Sequence, residues 1–280
     1  MNNRLLLLLS CTYFMMFPLL AAKKATTDVT PFLGYRHDNL KWTINNGANF
    51  QWKNLNFIDY GVRGKTTLKD RYIIKYDLGL SNLLSGHLND NQYLIPGGAS
   101  TSSSFKGWGL AFRPNLGFGY KFKPNRWFNI SPQLGYSYDL IYINNNKRTG
   151  PFTSVKDTIQ WQGPWTGFDA TAKIRRWSVN FGAFYHVAFY RNTGNWKVPP
   201  VATKNTFHQH GTGQGVSGRL GFGYEVAKSL TLGAETDVNW RRVNSGRDSR
   251  TFTTGVTTKS KLKSANWNSY DTRVILTKTF

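Results

Sequence analysis

The last residues of the chain, Ser269–Phe280 (SYDTRVILTKTF), alternate in chemistry and end on an aromatic ring. Side chains two apart on an extended chain share a face. Tyr270, Thr272, Val274, Leu276, Lys278 and Phe280 therefore fall on one side, and Asp271, Arg273, Ile275, Thr277 and Thr279 on the other. The pattern is sharper in Phe105–Phe122, where Trp108, Leu110, Phe112, Leu116, Phe118, Tyr120 and Phe122 oppose Gly107, Gly109, Arg113, Asn115, Gly117, Gly119 and Lys121. An aromatic face backed by charge and glycine suits a strand with lipid on one side and a polar interior on the other. A soluble barrel or sandwich also alternates, but this aromatic face turned inward would overfill a small barrel. The expected fold is all-β: a transmembrane antiparallel barrel of the bacterial outer membrane.

The alternation recurs with long and short connections in turn. Expected strands cover Val29–Trp42, Phe50–Leu68, Arg71–Leu83, Phe105–Phe122, Phe128–Ile143, Thr158–Ala172, Trp177–Phe189, Gly215–Val226, Leu230–Val243 and Ser269–Phe280, ten in all. Between them lie short turns such as Lys69-Asp70 and Lys123–Arg126, and long polar loops. The longest, Arg191–Thr212, holds Pro199-Pro200, which block strand pairing. Short turns face the periplasm and long loops the outside in this class, so both termini are expected on the periplasmic side. Tyr270 and the terminal Phe280 then form the signal that the barrel-assembly machinery reads on insertion.

The N-terminus fits an envelope address. Arg4 precedes an apolar stretch from Leu5 to Leu20, and Ala21-Ala22 offer small residues for cleavage. That is the layout of a secretory signal peptide, expected as residues 1–22, with the barrel as residues 23–280. Cys11 is the one cysteine, so the remainder has neither a disulfide framework nor a thiol site. The formal charge of +22 implies anionic partners. An export signal disfavours nucleic acid among these and leaves lipid headgroups, lipopolysaccharide and small anionic solutes.

The face opposite the apolar one carries Asp59, Arg63, Lys65, Lys75, Asp77, Arg113, Lys121, Asp139, Arg219, Glu225, Glu235, Asp237, Asp271 and Arg273. These are the candidate lumen residues. They either brace the wall as ion pairs, because a buried charge is costly unless paired, or line a path and tune its ion selectivity. Glycines on the same face, including Gly79, Gly107, Gly109, Gly117, Gly119, Gly135, Gly182, Gly221, Gly223 and Gly233, either leave room for a water path or relieve crowding in a tight barrel. The excess positive charge falls in the expected external loops: Lys147-Arg148, Arg191, Lys197, Lys204, Arg241-Arg242, Arg247, Arg250, Lys259, Lys261 and Lys263. Such clusters suit phosphate-bearing glycolipid.

Three stretches resemble the Protochlamydia outer membrane protein family, a porin-like group: Gln51-Trp52-Lys53-Asn54-Leu55, Phe105–Tyr120, and Trp161-Gln162-Gly163-Pro164-Trp165-Thr166-Gly167. The ten-strand organisation is similar to that of the omptin outer-membrane proteases. Omptin chemistry uses an Asp-x-Asp pair at the second external loop and an Asp-x-His pair at the fourth, to activate a water. Here the second loop supplies Asp90 alone, and the corresponding rim of the fourth, Tyr190–Trp196, has neither Asp nor His. His208 and His210 could share a face, but no third metal ligand stands nearby. His186 faces the lumen with no evident acid partner, and no serine stands out as its nucleophile. The expectation is a narrow, weakly anion-preferring porin-like channel without enzymatic activity or cofactor. The alternatives are a closed barrel that binds glycolipid through basic loops, or an omptin-like hydrolase that has lost its dyads.

Overall fold

Eleven strands make up the computed structural model: β1 (Ala25–Ile44), β2 (Asn49–Leu68), β3 (Tyr72–Asn91), β4 (Thr101–Ser104), β5 (Trp108–Tyr120), β6 (Phe128–Asn145), β7 (Ser154–Ile174), β8 (Trp177–Val198), β9 (Thr203–Ala227), β10 (Leu230–Thr251) and β11 (Thr257–Thr279). It describes residues 25–45, 47–91, 101–104, 107–145, 154–198, 203–252 and 255–280. The expected signal segment with Cys11, the loop residues Lys147-Arg148 and Pro199-Pro200, and the side chain of Lys204 lie outside the described residues.

Each strand pairs antiparallel with its sequence neighbours, and β1 pairs with both β2 and β11, so the sheet closes on itself. Strands β4 and β5 pair with the upper and lower parts of β3 and together form one stave, which makes the barrel ten-stranded. Reciprocal backbone bonds between Thr27 and Phe280, 2.9 and 3.2 Å, extend the closing seam to the last residue. Closure leaves no unpaired edge in lipid, where an unsatisfied peptide group costs several kcal/mol. The turn at Lys69-Asp70 has positive φ at both residues (49° and 58°), the geometry that matches the twist of two-residue hairpins.

Most strands run past the expected boundaries, and β8 and β9 replace most of the expected loop Arg191–Thr212, whereas β5 ends at Tyr120, two residues before its expected end. The other expected loops are likewise shortened by β3 reaching Asn91, β7 starting at Ser154, β10 reaching Thr251 and β11 starting at Thr257. The reason is a change of solvent along each strand. On β8, Trp177, Val179, Phe181, Tyr185, Val187 and Phe189 face outward in an apolar band, then Arg191, Thr193, Asn195 and Lys197 continue the same face as polar residues. The inward face changes in the opposite sense, from Asn180, Gly182 and His186 to Ala188, Tyr190 and Trp196. A transmembrane strand needs about 9–11 residues, so the upper part of β8 stands about 20 Å beyond the band. There the barrel is water-soluble, polar outside and apolar inside.

That upper section is filled by one aromatic core. Trp42, Phe50, Trp52, Leu55, Phe57, Ile143, Val155, Ile159, Trp161, Trp196 and Trp267 are each no more than 3% exposed. Phe50 stacks on Trp196 at 4.4 Å between ring centroids, and Trp161 packs on Tyr190 at 4.7 Å. Asp157 lies among these rings. Asp157 Oδ2 accepts from Trp52 Nε1 at 2.6 Å and Oδ1 from Trp196 Nε1 at 3.1 Å, linking β7 to β2 across the barrel. Burial pushes the Asp157 carboxyl up to about 7, although the two indole N–H groups work in the opposite direction.

A carboxyl whose folded pKa lies above its unfolded value favours the folded state while protonated. The stabilising contribution of Asp157 is therefore complete below about pH 4 and lost progressively as pH rises to about 7. We predict that Asp157→Asn removes this component, so the difference in unfolding free energy between variant and wild type changes by a few kcal/mol across that window. Urea denaturation in uncharged detergent at several pH values measures it; parallel pH profiles for the two proteins would refute the assignment.

Candidate functional site

Below the aromatic core the interior is charged, and alternation brings the charges together from opposite walls. Arg273 on β11 is the hub: its Nε reaches Asp59 at 2.9 Å, Nη1 Asp237 at 3.0 Å and Nη2 Asp271 at 2.8 Å. Arg113 on β5 closes the ring from the facing wall, to Asp59 at 2.8 Å and Asp271 at 3.1 Å. Arg63 binds Asp77 at 2.9 Å and Glu235 at 2.7 Å, and Arg219 binds Asp237 at 2.7 Å. Lys75 reaches Asp169 at 2.7 Å. Removing one partner from a buried pair costs about 3–5 kcal/mol, because the remaining charge has no water to turn to. Planar guanidinium groups serve such a ring well, each offering several donors in a fixed fork.

The charged belt and the aromatic core meet at Trp267. The guanidinium carbons of Arg36 and Arg241 stand 5.5 and 4.8 Å from its ring centroid. Arg36 pairs with buried Asp38, and Arg241 with Asp139 at 2.7 Å. The stretch Trp161–Gly167 spans this junction. Trp161 belongs to the core above, Trp165 lies in the belt with Nε1 donating to Asn115 Oδ1 at 2.8 Å, and Gly163 between them has a φ of 153° and a close approach to the Val187 carbonyl. The glycine rows are occupied space. A Cβ on Gly117 would stand 2.7 Å from the Trp165 ring, one on Gly135 would also collide with it, and one on Gly79 would meet the Arg113 guanidinium at 3.4 Å.

All the candidate lumen residues face the interior, in three zones. Asp59, Arg63, Asp77, Arg113, Arg219, Glu235, Asp237, Asp271 and Arg273 form the central network, and Asp139 sits above it with Arg241. A cavity of about 80 Å³ lies within this zone. Lys65, Lys121 and Glu225 line a wider recess of about 320 Å³ at the periplasmic mouth, where Lys75 and Asp169 mark its inner limit. Tyr270 and Phe280 face outward, 46% and 62% exposed. The loop charges of the sequence reading included Arg241, although the expected strand Leu230–Val243 contained it; it lies inside at 4% exposure, on the parity of Glu235 and Asp237. Asp169, Arg36 and Asp38 were also missed, although the parity of β7 around Trp161 and Trp165 would have placed Asp169 inward.

His186 and Ser217 meet across β8 and β9, with Nε2 and Oγ 2.8 Å apart, a pairing that the sequence did not suggest. His186 Nδ1 has no partner among the described residues, and the nearby Asp139 is held by Arg241. The pair therefore lacks the acid that orients a catalytic histidine. Asp90 is buried at the top of β3.

The exterior above the apolar band is basic. Lys41, Lys53, Lys156, Arg191, Lys197, Arg242, Arg247, Lys259, Lys261 and Lys263 are exposed there. Of the chain's acidic residues only Asp70 is exposed, and it sits at a periplasmic turn. Asp38, Asp90, Asp157 and Asp248 of the upper section are all buried. Strand register aligns Arg191 with His210, His210 with Arg247, and Arg247 with Lys261, so four outward side chains form one row across β8 to β11. Neighbouring strands stand about 4.8 Å apart, and like charges directly opposite are destabilising without a counterion.

The barrel matches the outer membrane protease OmpT from Escherichia coli with a TM-score of 0.75 at 11% identity, covering 93% of this chain and 98% of that one. OprG from Pseudomonas aeruginosa (TM-score 0.41, 10% identity, 92% and 97% covered) and the translocator domain of autotransporter NalP from Neisseria meningitidis (0.43, 9%, 95% and 92%) match less well. No curated protein sequence matches the chain. The likeness to OmpT agrees with the fold described above, a ten-stranded outer-membrane barrel. The model of the Protochlamydia outer membrane protein family matches residues 32–280. The protein is thus a bacterial outer-membrane barrel, and the chain belongs to the Protochlamydia outer membrane protein family.

Proposed function

We propose that this protein is a closed barrel that works through its outer surface, holding phosphate-bearing glycolipid of the outer leaflet on its basic collar. The observation that carries this reading is the sorting of charge: exposed cations ring the upper section, while every carboxylate of that section is buried. The row Arg191–His210–Arg247–Lys261 begins on β8 just beyond Phe189, the last outward apolar residue of that strand, and climbs away from the apolar band towards Lys261 on β11. Arginine pairs with phosphate oxygens through two parallel bonds, and lysine as a point charge. A glycolipid headgroup with several phosphates supplies the counterions that this row lacks.

The interior supports closure. Ten strands leave little more space than side chains fill; here the ion-pair belt and the aromatic core occupy it in series, and Trp165 takes the volume beside Gly117 and Gly135. The narrow, anion-preferring solute path expected from the glycines finds no support in that packing. The omptin likeness is one of fold, and the carboxylate and histidine pairs of that chemistry have no counterpart in the stretches that correspond to them.

Two outcomes follow. Pure folded protein in planar bilayers should give no conductance steps; reproducible single-channel steps would restore the channel reading. Replacing Arg191, Arg247 and Lys261 together by Gln should weaken binding of a bisphosphorylated lipid A by at least tenfold, on the order of 1.4 kcal/mol, with heat-modifiable mobility on gels unchanged. Native mass spectrometry of detergent-solubilised barrels reads the bound glycolipid, and equal retention by the triple variant would remove the collar from consideration.

A further inference from the structure

The periplasmic mouth holds a second, separate charge imbalance. Its recess of about 320 Å³ is lined by both Lys65 and Lys121. Of the other lining cations, Lys75 is bound to Asp169 and Lys173 to Glu225, each at 2.7 Å, Arg63 and Arg219 belong to the central network, and Arg176 is exposed at the rim. No carboxylate of the described residues pairs with Lys65 or Lys121. Register sets Lys65 directly opposite Lys75 on β3, so like charges face each other across the pair. Asp28, opposite Lys65 on β1, also lines the recess and with Asp70 gives Lys121 some electrostatic support, but neither stands within ion-pair distance of Lys65 or Lys121. Lys121 is held in place by its own backbone, whose N–H donates to the Arg71 carbonyl at 2.7 Å.

We propose that this mouth is a binding site for a small phosphate-bearing anion, seated between the ammonium groups of Lys65 and Lys121. Two ammonium groups that line one half-buried recess repel each other, and an anion between them would relieve that repulsion. Burial, then the neighbouring Lys65 and Lys123, lower Lys121 from the ordinary lysine range against the pull of Asp28 and Asp70, and a bound anion would offset that shift. Neutral donors complete the wall: Asn129 and Thr30 also line the recess. The dianionic charge of phosphate matches two lysines better than a single carboxylate would, and the volume admits a phosphorylated solute larger than the bare ion.

Inorganic phosphate titrated calorimetrically into the barrel in uncharged maltoside detergent tests the site. Wild type should bind, and Lys65→Gln with Lys121→Gln should weaken binding at least tenfold, whereas arginine at both positions should retain it. Lys228→Gln, at an exposed turn outside the recess lining, should leave phosphate affinity unchanged, which separates this site from general positive charge at that end of the barrel. No binding by wild type, or undiminished binding by the glutamine variant with its far-ultraviolet β signature intact, would overturn the proposal. Repeating the titration in nanodiscs identifies the source of the phosphate. Weaker binding in phosphatidylglycerol than in phosphatidylcholine discs assigns the site to headgroups, and equal binding to a free solute.

Discussion

A β-strand has a fixed period of two, whatever surrounds it, and each strand of this barrel passes from lipid into water. The alternation cannot change period at that boundary, so the two faces must exchange polarity instead. On β8 the outward series passes from Phe189 to Arg191 while the inward series passes from His186 to Tyr190. The same exchange at the same height on neighbouring strands produces two interiors in one tube. The lower holds charges because its exterior is given over to lipid, and the upper holds tryptophans because its exterior is in water.

Two such interiors do not join without a device, since a charged ring against an apolar core would leave one of them badly solvated. Trp267 supplies it, with the arginines of both buried pairs, Arg36–Asp38 and Arg241–Asp139, stacked near its ring. Cation–π contacts are worth more where water is excluded, so the indole face replaces part of the hydration that the guanidinium groups give up. Below, the network around Arg273 offsets the desolvation of its members only because each carboxylate meets more than one cation. Asp59 is shared by Arg113 and Arg273, and Asp237 by Arg219 and Arg273.

The barrel class, the closed order of strands and the inward set of charges were legible because an aromatic face backed by charge and glycine suits little but a strand in lipid. What escaped did so for one physical cause. An apolar face drops from view where it turns polar, so the run from Tyr190 to Trp196 passed for a loop rim, and Arg241, two residues from the end of its expected strand, was grouped with the loop charges beside Arg242. The pairing of His186 with Ser217 was invisible for a different reason, because it depends on register between strands, which the sequence of either strand alone does not contain. The Trp161–Gly167 stretch was recognisable as a family likeness well before its role was: it marks the level at which the interior changes character.

Trp165 lies over Gly117 and Gly135, which could not carry even a methyl group in its presence. The bore of this tube is therefore written in an exchange of volume between one indole and two bare backbones, and the number of staves only sets its upper limit. Barrels with the same strand count can then differ in permeability through a few interior residues. Strand number alone is a poor basis for sorting the chains of this family into conduits and sealed posts; the partner that faces the glycines is the better character to compare.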